Sequence, residues 1–461
     1  MLLLAGCARF QPQPLSPADT AANLESRSLD NPDLRAFIET NLHRELNTWP
    51  AKRWDFDMLT LAAFYYQPSL EVARASWRVA AGGIETAAER PNPTVTETLA
   101  WEPAPGAFSP WIPGLVFDLP VETAGKRRFR TEQARHLSES ARLNIAMTAW
   151  QLRSLLRVSV IDYSSATRRE SLLRQELTVQ EQVVASLEQR RQAGVLAAAE
   201  ITPARLLLQK VRLDLSDAQR QAAEARARVA EALGVPLRAL KDAEVAYDLG
   251  SQPEGADRLT SSEVRRQALQ HRPDVLAALS DYAATESALQ LAVAKQYPDV
   301  HLAPGYFWNA GSAGESDWQI GATVELPLLN RHRGPIAEAE AHRRESAARF
   351  KAVQARVIAD LDRTLAVYEA AAKGRTDAEA LLAAQRRQQE TAEQQFRAGA
   401  ADRLDVLTAQ VELATSELAL ADSQARLHLA FGALEDAVQR PLATWPDLEQ
   451  GPAAQAKQEK P

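Results

Sequence analysis

Apolar residues in this chain change their spacing in an order that occurs twice. Residues 68–90 and 273–296 are rich in Ala, Glu, Leu and Arg, predict a helix of about six turns each, and end at proline. Two strand-like stretches follow each helix. At 317–326 (DWQIGATVEL), Trp318, Ile320, Ala322, Val324 and Leu326 face one way, and Gln319, Gly321, Thr323 and Glu325 the other. TVTETLAW at 94–101 sets Thr94, Thr96 and Thr98 against Val95, Leu99 and Trp101, with Glu97 falling on the apolar side. Residues 111–119 and 300–308 alternate less strictly, and loops rich in Pro, Gly and Ser (EPAPGAFSP, NAGSAGES) join each pair.

Very long helical tracts come next. Residues 126–192 contain neither Gly nor Pro, and 336–398 match them with a single Gly374. At 1.5 Å per residue the first tract is about 100 Å long. Helices of that length are sustained by lateral packing along an apolar seam. Leu152, Leu155, Leu156, Ser159, Tyr163, Val183, Val184 and Leu187 supply part of one seam; Val353, Val357, Leu361, Leu365 and Tyr368 supply part of the other. Returning helices are expected at 202–233 and 402–439, the first with Thr202 as N-cap and Pro203 as first helical residue.

The two halves superpose by number. Gly194 of RRQAGVLAAAEITPAR registers on Gly399 of QFRAGAADRLDVLTAQ (399 − 194 = 205), and Pro68 on Pro273 and Pro93 on Pro298 keep that offset. Leu119-Pro120 and Leu326-Pro327 are displaced by 207, which calls for a small difference in loop length. Two copies of one large unit imply pseudo-symmetry rather than a solenoid. The chain divides into a leader at 1–7, an N-terminal segment at 8–66, a first repeat at 67–234, a loop-like linker at 235–260, a second repeat at 261–440 and a tail at 441–461. The fold class is mainly α with a small β part, built as duplicated long-helix hairpins.

Composition narrows the function. A net charge of −7 without a basic block gives no footing for nucleic acid. Seven scattered histidines, three methionines and one cysteine offer no metal cage and no catalytic constellation, and no phosphate-cradling glycine loop is present. The chain reads as a non-enzyme without cofactor or metal. The one cysteine, Cys7, closes Leu4-Ala5-Gly6-Cys7, which resembles a bacterial lipobox with Cys7 as the lipidated residue. The usual basic and longer apolar leader is missing, so the true start is expected upstream.

No segment reaches the roughly 18 uncharged apolar residues of a spanning helix, so a membrane crossing would have to use strands. Four strands of about ten residues suit a tilted membrane strand, yet a bilayer tolerates no open sheet edge, and about eight strands are the minimum for closure. Three chains together would supply twelve. On that reading Trp101, Trp111, Tyr306, Trp308 and Trp318 face lipid as interfacial girdles; the plainer alternative makes them ordinary sheet-core aromatics.

Helix, strand pair, long helix, AG corner and returning helix, given twice over residues 60–440, resemble the TolC-type outer-membrane efflux protein family. The stretch FDLPVETAGKRRFRTEQA is similar to the heavy-metal (cobalt–zinc–cadmium, CzcC-like) efflux subgroup. The resemblance implies a homotrimer: a trimeric α-barrel tunnel across the periplasm, topped by a twelve-stranded transmembrane β-barrel with four strands per chain. It implies a passive duct in outer-membrane lipid, coupled through a periplasmic adaptor (membrane fusion protein) to an inner-membrane RND-type transporter. Drug efflux or type I secretion on the same fold, and a soluble coiled-coil scaffold, are the rival readings.

The corners are then the helical hairpins at the inner end of the tunnel. Glycine readily takes the left-handed conformation that ends a helix. Ala193, Gly194, Val195, Arg397, Ala398, Gly399 and Ala400 become the adaptor-docking tips, with Arg190 and Arg403 beside them. By resemblance Asp405 matches an acid that narrows the tunnel mouth, and Glu200 holds the same place in the first repeat. Threefold rings of carboxylate would favour cations. Stabilisation of a helix N-terminus is the structural alternative for both acids.

Overall fold

The computed structural model describes residues 10–103, 109–253, 262–308 and 316–439. Cys7, the 1–7 leader, the 441–461 tail and most of both strand-joining loops lie outside the described residues. The elements run α1 (Pro17–Glu25), α2 (Pro32–Leu42), β1 (Arg53–Trp54), α3 (Phe56–Tyr66), α4 (Pro68–Ala88), β2 (Thr94–Trp101), β3 (Trp111–Val121), α5 (Lys126–Gln192), α6 (Ala198–Leu233), a 3₁₀ turn (Leu237–Leu240), β4 (Glu244–Val245), α7 (Ser262–His271), α8 (Pro273–Ala294), β5 (Val300–Phe307), β6 (Asp317–Val324), α9 (Arg333–Arg397) and α10 (Arg403–Val438). The architecture is mainly helical with a small sheet. Contacts divide it into two units that cut across both repeats.

The first unit comprises Met1–Pro68, Ala149–Val264 and Asp360–Pro461. Its main core lies where α2 and α3 meet α5 and α6. Leu34, Ile38, Trp54, Leu59, Leu61, Leu156, Val160, Val229 and Leu233 are all buried there. The segment ahead of the first repeat is helical because each helix has its stop and start signals. Ser16, Asn31 and Asp55 accept N-cap bonds from Asp19, Asp33 and Met58, and proline stands at the start of α1 and α2. The stretch after α6 is less loop-like than its composition suggests: its Glu244–Val245 strand pairs in parallel with Arg53–Trp54. Leu152, Leu156, Val183, Val357 and Leu361 are buried as seam positions should be, but Leu155 is 54% exposed, and Val160 and Ile161 pack inward instead.

Helix α6 begins one turn before the expected Thr202-Pro203 start. Glu200 accounts for the shift: its carboxylate accepts the Ala197 N–H at 2.9 Å, half of a capping box, leaving Pro203 inside the helix. In the second repeat Asp402 caps α10 through Leu404 and Asp405, and Asp405 returns the bond to Asp402 N–H at 2.8 Å.

The second unit, Ser69–Thr148 with Arg265–Ala359, holds the four-stranded antiparallel sheet in the order β2-β3-β5-β6. The sheet passes into the long helices through two left-handed corners: Gly125 (φ 73°) before α5 and His332 (φ 54°) before α9. These positions are 207 apart, the displacement of the Leu-Pro pairs. At the first corner Lys126 Nζ donates to Tyr297 O and to Asp299 Oδ1 at 2.7 and 2.8 Å, and Thr123 N–H also reaches Asp299. Arg130 meanwhile holds the end of α4 by donating to Ala87 O and Glu89 O, with Glu122 as its counter-ion. The start of β5, the end of β3 and the first turn of α5 are tied in this way.

Candidate functional site

Register decides what each face of the sheet carries, because directly paired residues point to the same side. Trp101 pairs with Trp111, Glu97 with Leu115, Leu115 with Tyr306, and Tyr306 with Trp318. Following those rows, one face carries Val95, Glu97, Leu99 and Trp101, then Trp111, Pro113, Leu115, Phe117, Leu119 and Val121, then Val300, Leu302, Pro304 and Tyr306, then Trp318, Ile320, Ala322 and Val324. Glu97 is the one charged side chain among them. The opposite face is mixed: it carries Thr94, Thr96, Thr98, Asp118, His301, Asp317, Gln319 and Thr323, with Ala100, Ile112, Val116, Ala303 and Phe307 among them. His301 Nδ1 meets the Asp118 carboxylate at 3.0 Å on that side.

Among the described residues much of the apolar face is exposed. Trp318 is 77% and Ile320 86% exposed, and Val95, Leu99, Trp101, Trp111, Phe117, Leu119 and Leu302 are exposed as well. The five aromatics singled out by sequence come together in two clusters near one end of the strands. Trp101 and Trp111 stack edge-on at 4.6 Å, and Tyr306 lies 4.9 Å from Trp308 and 4.8 Å from Trp318. Within this chain the four tryptophans are exposed and Tyr306 is half-buried. A contiguous exposed apolar surface of this kind marks contact with lipid or with another protein. No helix among the described residues is long and apolar enough to cross a membrane.

The two glycine corners lie in the first unit and share one geometry. Gly194 (φ 76°) and Gly399 (φ 73°) follow α5 and α9 in the left-handed conformation. Val195 N–H returns to Arg190 O and Gly194 N–H to Arg191 O; Ala400 N–H returns to Gln395 O and Gly399 N–H to Phe396 O. Both are Schellman closures, which use up carbonyls that the helix end would leave open. Ala193, Gly194, Val195, Arg397, Ala398, Gly399 and Ala400 are all exposed, and a Cβ on either glycine would meet open space. Glu200 and Asp405 are exposed too, each in the first turn of its returning helix.

Sequence reasoning passed over Asp402. Its carboxylate caps α10 and also receives Arg190 Nη2 at 2.7 Å, joining the first corner to the second. Those donors, with the Arg190 guanidinium foremost, hold the Asp402 carboxyl below the usual carboxylate range. The position was readable as an acid just ahead of a helical run, but its partner lies 212 residues away (402 − 190 = 212). Among the described residues no group of three or more His, Cys, Asp or Glu is placed to hold a metal ion.

Known proteins share this fold. The outer membrane protein VceC of Vibrio cholerae superposes with a TM-score of 0.67 at 21% identity, covering 84% of this chain and 96% of that one, a likeness of fold. Pyoverdine export outer membrane protein OpmQ of Pseudomonas aeruginosa is 25% identical over 224 residues, 48% of this chain and 46% of that protein. Protein CyaE of Bordetella pertussis is 26% identical over 333 residues, 68% of this chain and 64% of that protein. The matches thus span roughly half to just under two thirds of these curated relatives. The family model described as outer membrane efflux protein matches residues 63–235 and 264–438, most of both repeats. The chain belongs to the outer membrane efflux protein family.

Proposed function

We propose that three copies of this chain close their sheets into one twelve-stranded barrel in the bacterial outer membrane and continue inward as a helical tunnel. The assembly is a passive export duct, met at its inner end by a periplasmic adaptor that links it to an inner-membrane RND-type transporter. The observation that carries this reading is the sheet face: four strands, apolar on one side apart from Glu97, with the threonines, Asp118, His301, Asp317 and Gln319 on the other, and with the outer edges of β2 and β6 unpaired among the described residues. Lipid against the apolar side and water against the other satisfy both faces, and closure by identical neighbours satisfies the edges. A soluble coiled-coil scaffold leaves Trp318 and Ile320 facing water for no purpose.

The tips Ala193–Val195 and Arg397–Ala400 are the proposed adaptor surface, and Glu200 and Asp405 the proposed acids of the mouth. A lipid on Cys7 would add a second attachment, and acid-stable acyl labelling lost in Cys7→Ser tests it. The proposed cargo is a heavy-metal cation, on the resemblance of residues 117–134 to the metal-efflux subgroup. Export of an organic molecule is the second reading, favoured by the likeness to the pyoverdine-export protein. Detergent extraction followed by particle mass and planar-bilayer conductance tests the channel. Trimeric particles that conduct support it, whereas a monomer in plain buffer ends it. Loss of metal tolerance in a deletion strain, with drug and siderophore export intact, separates the cargoes.

A further inference from the structure

The two repeats share their β-geometry residue by residue. Adding 205 to β2 and 207 to β3 turns the observed pair Trp101–Trp111 into Tyr306–Trp318, and Val95–Phe117 into Val300–Val324. Both resulting pairs are themselves observed in the β5–β6 hairpin. The offsets also keep the faces: Trp111 maps on Trp318 and Tyr306 on Trp101, apolar side to apolar side, whereas a one-residue error would exchange the faces.

Between the hairpins, β3 meets β5 in a fixed register running from Gly114–Phe307 to Val121–Val300. That junction joins the second strand of one repeat to the first strand of the other. Its pseudo-symmetric counterpart would join β6 to β2, the two strands left with an open edge. From the structure we infer the register of that closure between copies, an inference that rests on the trimeric reading above. Leu115–Tyr306 becomes Ala322 of one copy against Trp101 of the next, and Val116–Gly305 becomes Thr323 against Ala100. Leu119–Leu302 becomes Leu326 against Glu97, and Val121–Val300 becomes Leu328 against Val95.

This register gives the chain downstream of β6 a partner. Within one chain β6 ends at Val324, and Leu326 and Leu328 lie exposed at 67% and 73%. In the inferred closure both continue the strand alongside β2, and Leu326 lies on the lipid side across from Glu97. The two edges thereby meet over Val95–Trp101, and the apolar side continues from copy to copy with Glu97 as its one charged residue.

Cysteine pairs test it in the full-length protein. Ala100 and Thr323 are small, lie on the side opposite the apolar face and are within reach of aqueous oxidant. Ala100→Cys with Thr323→Cys is expected to give covalent dimers and trimers on denaturing gels after mild oxidation. Ala100→Cys with Gly321→Cys, or with Glu325→Cys, presents the same face two residues out of register and is expected to give at least fivefold less. Single-cysteine variants report any background from Cys7. A shifted pair that outcompetes Ala100–Thr323, or trimeric particles that no pair cross-links, overturns the register while leaving three-copy closure standing. Monomeric particles without cross-links in any variant overturn the channel reading itself.

Discussion

Arg190, at the end of α5, places its guanidinium 2.7 Å from the Asp402 carboxylate that caps α10. The bridge joins the two glycine corners of one chain, and it has no copy: the residues 205 away are Gln395 and Ala197. The repeat is therefore broken at its tip, where a symmetric pair of charges would have been possible. Asp402→Ala removes both the cap and the bridge. Loss of the cap alone is worth about 1 kcal/mol, and the half-exposed ion pair adds little. Faster amide exchange confined to residues 396–406 is the expected result. Under the channel reading the variant also opens more often in bilayers, whereas Asp402→Asn keeps the cap and isolates the effect of the charge.

The same bridge sets a pH response at the tip. Asp402 is held below the ordinary carboxylate value by Arg190 first and by its backbone donors next. A depressed carboxyl contributes stability that is complete above its unfolded value and is lost as pH falls through the folded one. Tip order should therefore stay constant from neutral pH down to the ordinary carboxylate range and decline below it. In Arg190→Gln the decline should be smaller and should be complete at a higher pH, because the folded value moves back toward the unfolded one. Exchange rates at Leu404 and Asp405, read against pH in both proteins, check the direction.

Asp405 serves its helix through a backbone bond from Asp402 N–H, and this role does not require a threefold ring. Substitution to asparagine separates the two roles, because the amide oxygen still accepts that bond while the charge disappears. Asp405→Asn should leave the melting temperature within about 2 °C of the parent, since surface changes of this kind lie within about ±0.5 kcal/mol. Reversal potentials in a salt gradient should shift toward lower cation preference. An unchanged reversal potential would leave Asp405 as a helix-capping residue and nothing more.

His332 occupies, in the second repeat, the left-handed corner that Gly125 occupies in the first. A residue with a Cβ is strained there by on the order of 1 kcal/mol, part of which glycine would return as extra freedom in the unfolded chain. His332→Gly should raise stability by about 0.5 kcal/mol, and Gly125→Ala should lower it by about 1 kcal/mol. Thermal melts of the purified protein in one detergent read both changes, and equal effects of the same sign would show that the corners are not equivalent.

Much of this was legible in the chain. A 67-residue run without Gly or Pro became one helix with the expected ends, because nothing inside it interrupts the backbone ladder. Of the alternation at 317–326, residues 317–324 became a strand with Trp318 and Ile320 on one side, since period two admits no other placement. The weaker alternation of β3 and β5 was settled only by their neighbours, whose register puts Pro113, Leu115 and Pro304 on the apolar side. Thr202-Pro203 misled because a Thr-Pro pair imitates a helix start, while the backbone bond to Glu200 that moves the start leaves no compositional mark. Charges inside the helical seam were illegible for a related reason: at helical spacing a buried Arg looks like a solvated one.

Arg157 is the case in point. It is 4% exposed on α5, donates to Gly432 O at 2.6 Å, and lies 2.8 Å from Glu435 Oε2, itself on α10 and 5% exposed. Arg153 reaches the same carboxylate at 3.1 Å. Gly432 makes room for the contact, since a Cβ there would lie 2.7 Å from Arg157 Cδ. Removing one member of a buried pair leaves the other desolvated, at a cost of about 3–5 kcal/mol, whereas replacing both with apolar side chains of similar size is often neutral. Glu435→Ala and Gly432→Leu should each lower the melting temperature sharply. Arg157→Met combined with Glu435→Leu should recover most of the loss, the remainder belonging to Arg153 and to Asp436, which lies 3.5 Å from Arg157 Nη1. A double variant no more stable than Glu435→Ala would mean that the helices are held here by the charges themselves, and that apolar packing along α5 and α10 cannot take their place.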